Sequence, residues 1–350
     1  MEIREILESD DADLLRVGRI SRRQAKQNHK SLWAGSRHAS FSPRSRNDHS
    51  EAAFISIDLA YHPDEHLIVA EADKKILAYV HVGILDPDYS RRIEHAERYY
   101  LDRDSPLAGV AFERLLLAVE QIGGRDQARS VLLWASGDDD VAQDVLRRNG
   151  YAWLSRVYAR ILPRTDAPAP DATVEVCRVR HSEMDSIRKV SHIGRLRESE
   201  TAARTLPEDL FLQFEPFRHS DEAEAHFLSR WLEDFPNKHL LVARVDNEIV
   251  AFLSVALESS RSRRWIHAGW VGLHVDTTSP MATVAVERLV LAVEHIAGLN
   301  EAHLVELGVS SDLSPAIEAF NRLGYRAWTD SYYKILPYSG AGESRSTAGE

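Results

Sequence analysis

The sequence predicts a mixed α/β fold of two tandem domains, each a mostly antiparallel sheet flanked by helices. Two observations support this. The sequence matches itself at a spacing as long as a whole domain, and both copies carry the same succession of strand and helix patterns. A chain of 350 residues is also long enough for two domains of ordinary size.

The self-match is clearest in the second half of each copy. SPLAGVAFERLLLAVEQIGG from Ser105 lies over SPMATVAVERLVLAVEHIAG from Ser279, a spacing of 174 residues. Upstream the spacing is 173, with EAAFISIDLAYHPDEHLIVAE from Glu51 over EAHFLSRWLEDFPNKHLLVAR from Glu224. The match slips only in the turn at 85–91. Because the period far exceeds that of a solenoid repeat, the repeating unit is a domain.

The Pro/Ala/Asp-rich segment RTDAPAPDAT separates the two copies and predicts a linker. We therefore expect an N-terminal copy at 1–163, the linker at 164–173, a C-terminal copy at 174–338 and a disordered tail at 339–350.

Each element of the N-terminal copy is predicted from its hydrophobic period. IREIL opens as a strand, and DDADLLRVGRISRRQ follows with capping acids and helical apolar spacing. Two β-rich runs around Asp73-Lys74-Lys75 indicate a hairpin, which the C-terminal copy repeats at 246–248. A third run, 98–101, leads into a helix over 108–122. The copy ends with the strand SVLLWAS, the helix VAQDVLRRNGY and the strand RVYARILP. The predicted order is therefore β, α with a second helical segment, β, β, β, α, β, α, β.

The composition is that of a globular protein without membrane spans. No run of about 18 apolar residues occurs, and MEIREILESDD lacks the basic start and apolar stretch of a signal peptide, so we expect a cytoplasmic protein. The only cysteine, Cys177, excludes an internal disulfide and a cysteine-based metal cluster. The histidine spacings match neither a His-Glu-x-x-His motif nor a Cys/His site, so no metal is expected.

The charge of the chain is unevenly distributed. A net charge of -11 argues against wholesale nucleic-acid binding, yet the segment 14–47 contains no Asp or Glu among nine basic residues before Asn47. This basic segment is either a solvated helix surface or a site for an anion. The anion could be a carboxylated acceptor, the phosphates of coenzyme A, an acyl carrier protein or a tRNA end. The sequence does not indicate an oligomeric state.

The element order, with a hairpin feeding a third strand and a helix after a tight turn, resembles that of the GNAT acyltransferase superfamily. Its signature Q/R-x-x-G-x-G/A falls on Pro106-Leu107-Ala108-Gly109-Val110-Ala111. Its late helix motif falls on Ala142, Leu146, Gly150 and Tyr151, and again on Ala316, Phe320, Gly324 and Tyr325. The tandem organisation is similar to that of mycothiol synthase.

The resemblance implies acetyl-CoA or another acyl-CoA as substrate. Its pyrophosphate would bind the backbone N–H groups at the helix start, at Leu107, Gly109, Val110 and Ala111, where the helix dipole favours an anion. Pro106 replaces the usual basic or amide residue. A plain helix start with Ser and Pro at capping positions is the alternative interpretation.

The resemblance further implies that the strand backbone near Leu101 bonds the pantetheine arm and that Asp139 replaces an Asn common in the family. The C-terminal copy has Thr283 in place of Gly109 and Leu313 in place of Asp139. The N-terminal copy is therefore the better candidate for the cofactor site.

Acyl transfer to an amine needs a base, and His95 with Glu97 stands near the position where some relatives carry a catalytic Glu. We expect the two side chains to share one face of a strand. The alternative is that IEHAER is an exposed, charged strand end. The family's general acid, a Tyr in the late helix, is lost in both copies, to Leu146 and Phe320.

Three functions remain open. The first is an acyl-CoA-dependent N-acyltransferase, acetyl being the expected group, that acts on a small amine in the N-terminal copy. The second is a transferase whose donor is an aminoacyl-tRNA or an acyl carrier protein bound at the basic segment 14–47. The third is a non-catalytic module of two degenerate domains, which the missing tyrosines would permit.

Overall fold

The computed structural model describes residues 1–33, 47–62, 64–85, 92–161, 173–205, 221–260, 263–302 and 304–336. The N-terminal copy has the predicted order of elements: β1 Glu2–Ile6, α1 Asp11–Trp33, α2 Asp48–Tyr61, β2 Glu65–Ala72, β3 Lys75–Leu85, β4 Arg92–Leu101, α3 Ala108–Arg125, β5 Ser130–Ser136, α4 Asp140–Arg148 and β6 Ala152–Ile161. The predicted tail and all of the predicted linker except its last residue, Thr173, lie outside the described residues.

The C-terminal copy repeats this order. Its elements are β7 Glu175–Val179, α5 Met184–Thr205, α6 Asp221–Asp234, β8 Lys238–Val245, β9 Glu248–Ser260, β10 Arg263–Val275, α7 Ala282–Leu299, β11 Leu304–Ser310, α8 Ser314–Arg322 and β12 Arg326–Ile335. The mixed α/β class and the tandem arrangement predicted from the sequence are confirmed. No helix in the described ranges is long and apolar enough to cross a membrane.

Both predicted hairpins turn through two residues with positive φ. Asp73 and Lys74 have φ of 50° and 62°, and Asp246 and Asn247 have φ of 50° and 67°. Such turns match the right-handed twist of paired strands, and Asp and Asn tolerate this backbone region better than most residues. The turns fix the register of β2 on β3 and of β8 on β9.

Helices cover both faces of the sheet in the N-terminal copy. One core lies between the sheet and α3 and α4, and it includes Val80 and Leu115. A second core lies between the sheet and α1 and α2, and it includes Leu14 and Tyr79. From Ala78 onward, even-numbered residues of β3 face α3 and odd-numbered ones face α1 and α2, because successive residues of a strand point to opposite faces.

The twelve strands within the described residues form one sheet, in the order β1-β2-β3-β4-β5-β12-β6-β11-β10-β9-β8-β7. The closing strands are therefore exchanged. β12 of the C-terminal copy pairs with β5, and β6 of the N-terminal copy pairs with β11. Each closing strand packs its tyrosine into the other copy's core, Tyr158 against the C-terminal core and Tyr332 against the N-terminal one.

A local two-fold axis passes between β6 and β12. Arg156 and Asp330 are equivalent residues of the two copies, 174 positions apart, and they face each other in the register of this pair. Arg156 donates two hydrogen bonds to the fully buried Asp330 carboxylate, at 2.5 and 2.7 Å. These bonds raise the pKa of Arg156. Duplication has thus allowed a position on the axis to hold opposite charges in the two copies.

Candidate functional site

The central feature of the site is a gap between β4 and β5. These parallel strands pair only at their beginnings, through Arg92 with Ser130, Ile93 with Val131 and Glu94 with Leu132. β4 continues to Leu101 and β5 to Ser136 without further pairing to each other. The two strands diverge, which leaves backbone groups of β4 available to a ligand. β10 and β11 diverge in the same way after three pairs.

A β-bulge lies in β4 where the strands part. His81 of β3 pairs with Arg98, but the next residue, Val82, pairs with His95, so Ala96 and Glu97 are extra residues on β4. A bulge breaks the regular alternation of side chains and often re-aims backbone beside a functional site. The side chains of 92–98 lie outside the described residues, so the shared face of His95 and Glu97 stays a prediction.

Helix α3 begins where the gap opens. Ser105 Oγ accepts the Leu107 N–H at 3.2 Å, and Ala111 makes the first i to i−4 bond of the helix, to Leu107 O at 2.8 Å. The N–H groups of Gly109 and Val110 are therefore among those that have no acceptor within the helix. Leu107 and Val110 are each 44% exposed, so this helix end is open to solvent, whereas Ala111 is buried. Leu101, at the end of β4, is also buried.

Gly109 faces helix α4 rather than solvent. A Cβ placed there would meet Val145 and Val141 at 3.7 and 3.9 Å, which is ordinary contact. The C-terminal copy has Thr283 here, whose hydroxyl donates to Glu318 at 3.1 Å. The Glu318 carboxylate thus lies beside the start of α7, where its negative charge would repel a bound anion.

Asp139 is buried and serves as the N-cap of α4. One carboxylate oxygen accepts the Ala142 N–H at 3.0 Å, and the other accepts the Tyr99 hydroxyl at 2.8 Å. The Tyr99 oxygen in turn accepts the Ser136 N–H at 2.8 Å. Burial, followed by the charge of Asp139, raises the pKa of Tyr99 well above its usual range. Asp139 therefore links the ends of β4 and β5 to the start of α4, next to the gap.

Arg103 is a candidate that the motif comparison missed. It lies in the loop between β4 and α3, with its guanidinium 3.3 Å from both Asp138 and Asp139 and its side chain 41% exposed. Burial opposes its charged form, but the charge of Asp139 raises the pKa of Arg103. The equivalent residue in the C-terminal copy is Thr277, which has no charge.

A second candidate base is His81, which the structure places beside the β4 bulge. Its Nε2 lies 3.0 Å from Glu65 Oε2, and its side chain is 2% exposed. A Cβ at Gly83 would come within 2.6 Å of Glu65 Oε1, so glycine there makes room for the carboxylate. The pair lies on the sheet face that carries α1 and α2. Its C-terminal counterparts are Lys238 and Ser254, which cannot form such a pair.

The positions of the family's missing tyrosine are core positions. Leu146 and Phe320 are both fully buried. Phe320 packs on Tyr158 with ring centroids 4.9 Å apart, and Tyr332 accepts a 3.3 Å hydrogen bond from Arg147. The Ser136 hydroxyl donates to Asp138 at 2.6 Å. Neither late helix therefore supplies a tyrosine acid.

Solved structures with a similar arrangement are GNAT acetyltransferases of low sequence identity. A GCN5-related N-acetyltransferase from Sphaerobacter thermophilus has 14% identity and a TM-score of 0.48, covering 96% of this chain and 95% of its own. A tandem GNAT protein from the clavulanic acid biosynthesis pathway has 12% identity and a TM-score of 0.43, covering 96% and 98%.

A GNAT-family acetyltransferase from Colwellia psychrerythraea has 10% identity and a TM-score of 0.41, covering 96% of this chain and 100% of its own. No protein-family model and no curated protein sequence matches the chain.

Proposed function

We propose that the protein is an acyl-CoA-dependent N-acyltransferase, with acetyl-CoA as the expected donor, and that the N-terminal copy holds the active site. One observation carries the proposal. The gap between β4 and β5 and the solvent-open start of α3 lie next to each other, so an extended thioester arm and its pyrophosphate can be bound together.

The donor is bound mainly by backbone groups. The N–H groups of Gly109 and Val110, with the dipole of α3, would hold the pyrophosphate, and the guanidinium of Arg103 adds positive charge nearby. The arm would follow β4 near Leu101 into the gap. The C-terminal copy is the poorer donor site because Glu318 is bonded to Thr283 at its helix start.

The chemistry requires one proton to leave the amine. The amine nitrogen attacks the thioester carbonyl, a C–N bond forms, the C–S bond breaks, and the thiolate takes a proton from water. His81, whose Nε2 lies 3.0 Å from Glu65 Oε2, is the proposed acceptor of the amine proton, since the pair lies beside the bulge. His95 and Glu97, on the adjoining strand, are the other proposed base.

Amine-dependent release of free thiol from acetyl-CoA tests the proposal. Val110→Glu should abolish turnover, because a carboxylate at the third helical position suits the helix but repels a phosphate. Val110→Gln has the same size without the charge and should keep most activity. Equal losses in both variants, or no thiol release with any amine in a broad panel, would count against the proposal.

The same assay separates the alternatives. A donor carried on tRNA or on an acyl carrier protein predicts no thiol release from free acetyl-CoA but transfer from the charged carrier. A non-catalytic module predicts neither reaction.

The role of His81 is tested by His81→Gln, which should lower kcat by about 10²- to 10⁴-fold. His66→Gln is the matched control. His66 is also a buried histidine beside a carboxylate, Glu5 at 2.6 Å, but it lies on the other face of the sheet. Similar kinetic losses in both variants would indicate a structural effect.

A further inference from the structure

We propose that the N-terminal copy recognises an oxyanion on the acceptor, a carboxylate or a phosphate, through Arg19, Arg22 and Arg23. This inference deepens the proposed function and rests on it. The acceptor would then be a small amine that also carries a single acidic group.

The three arginines line a cavity of about 260 Å³ between α1 and the start of α2, and among the described residues Asp48 lines it as well. Arg19 Nε lies 3.3 Å from Asp48 Oδ2, and Arg22 also pairs with this carboxylate. Burial opposes the charged form of Asp48, but the Arg19 hydrogen bond and the charge of Arg22 lower its pKa. Asp48 is therefore ionised at neutral pH, and three guanidinium groups with one carboxylate leave a net charge of +2.

The spacing of the three arginines suits a single oxyanion. Residues 19, 22 and 23 lie on one face of α1, because residues three and four apart are neighbours on a helix. Asp48 orients Arg19 and Arg22, whereas Arg23 makes no ion pair within the described part of the chain and is exposed. A guanidinium presents its donors in a fixed fork that matches both carboxylate and phosphate.

The cavity lies on the face of the sheet that carries α1 and α2, the same face as the His81–Glu65 pair. α1 packs against β4, and Tyr100 of β4 joins the core under α1 and α2. Arg23 is near enough for its charge to act on the pKa of Tyr100, which burial and Asp102 raise. Tyr100 precedes Leu101, beside which the arm of the donor would pass into the gap. An anion held in the cavity would therefore position an attached amine toward the gap.

Of the other basic residues in segment 14–47, Arg16 is paired with acidic residues. The side chains of the remaining ones lie outside the described residues. Arg16 bonds Asp13 and Glu71 at 2.8 and 2.9 Å, so its charge is already compensated. A polyanion such as tRNA gains affinity from many phosphate contacts, whereas the described cavity offers one compact cluster with a carboxylate inside it. One acidic group fits this cluster better than a nucleic acid does.

The C-terminal copy lacks the cluster. His192 and Leu196 replace Arg19 and Arg23, whereas Arg195 and Asp221 keep the residue types of Arg22 and Asp48. All three arginines are present only in the copy that has the open helix start and the His81–Glu65 pair, which supports a role in choosing the acceptor.

Steady-state kinetics on paired amines test the inference. Phosphoethanolamine is compared with ethanolamine, and β-alanine with its neutral amide, which separates phosphate from carboxylate recognition. Arg22→Gln/Arg23→Gln should raise KM for the anionic amine at least tenfold, with kcat and the neutral partner nearly unchanged. Arg188→Gln, an exposed arginine on helix α5, is the matched control and should change neither.

Calorimetric binding of phosphoethanolamine and of β-alanine gives a readout independent of transfer. The wild type should bind at least one of the two anions, and the milder Arg23→Gln should weaken that binding measurably. No binding to the wild type, or equal KM changes for anionic and neutral amines, would overturn the inference. Transfer to neutral amines with no anion preference would overturn it while leaving the acyltransferase function intact.

Discussion

The two copies have similar residues where they pack against each other and different residues around the proposed ligand site of the N-terminal copy. Both exchange a closing strand, and both use it for an equivalent ion pair, Lys334 with Glu120 at 2.8 Å and Arg160 with Glu294 at 3.8 Å. The polar groups around the gap are different. The Tyr99–Asp139 bond of the N-terminal copy is replaced by the apolar Leu273 and Leu313.

This difference indicates that the C-terminal copy was retained for its structural role. Exchange of strands makes each copy depend on the other for its core, so the C-terminal copy had to keep its scaffold. Its polar site residues were free to diverge. The remaining predictions alter individual positions where the copies meet or differ.

The largest expected effect is at the two-fold axis. Asp330→Ala should lower the free energy of unfolding by about 3 kcal/mol, since it leaves the Arg156 charge three-quarters buried without its partner. The double variant Arg156→Asp/Asp330→Arg restores opposite charges and should recover at least half of the loss. Urea unfolding followed by tryptophan fluorescence measures both. A loss below 1 kcal/mol in Asp330→Ala would show that this pair does not join the copies.

A smaller effect is expected where a polar pair in one copy is apolar in the other. Asp139→Leu should cost about 2 kcal/mol, because it removes the cap of α4 and leaves the Tyr99 hydroxyl buried without its acceptor. The double variant Tyr99→Leu/Asp139→Leu copies the C-terminal solution and should be less destabilised than Asp139→Leu alone. Chemical denaturation of both variants checks this. A double variant with additive losses would mean that the copies are not interchangeable here.

The smallest effect concerns pH. His66 lies beside Glu5, but its counterpart His239 lies beside Arg178. Burial, followed by the charge of Arg178, lowers the pKa of His239 to about 4. A histidine in the unfolded chain has a pKa of about 6.5. The free energy of unfolding should therefore decrease by on the order of 1 to 2 kcal/mol as the pH falls from about 6.5 toward the pKa of His239.

An NMR titration of His239 measures this pKa directly. Arg178→Glu gives His239 the same neighbour that His66 has and should raise its pKa toward or above 6.5. A wild-type His239 that already titrates near 6.5 would contradict the effect of burial.

The local part of the fold was predictable from sequence. The hairpin turns, the strand SVLLWAS and the helix from Ala108 all follow from period and turn chemistry, and the structure places them where the sequence predicts. The exchange of β6 and β12 was not predictable. Both closing strands have the same pattern, so their sequences suit either neighbouring strand, and only long-range packing selects one.

The site was only partly predictable, for a similar reason. Motif position identified the start of α3, but the burial of Asp139 as a helix cap depends on Tyr99, forty positions away. The His81–Glu65 pair depends on hairpin register and on the absence of a side chain at Gly83. Pairing the alternating residues of β2 and β3 across the predicted turn would have brought the two together.

The central claim is that only the N-terminal copy binds the donor, and equilibrium binding of acetyl-CoA tests it most directly. We predict one molecule per chain, lost in Val110→Glu and retained in Val284→Glu, the equivalent change at the start of α7. Two equal sites, no binding to the wild type, or loss of binding in Val284→Glu but not in Val110→Glu would contradict the account.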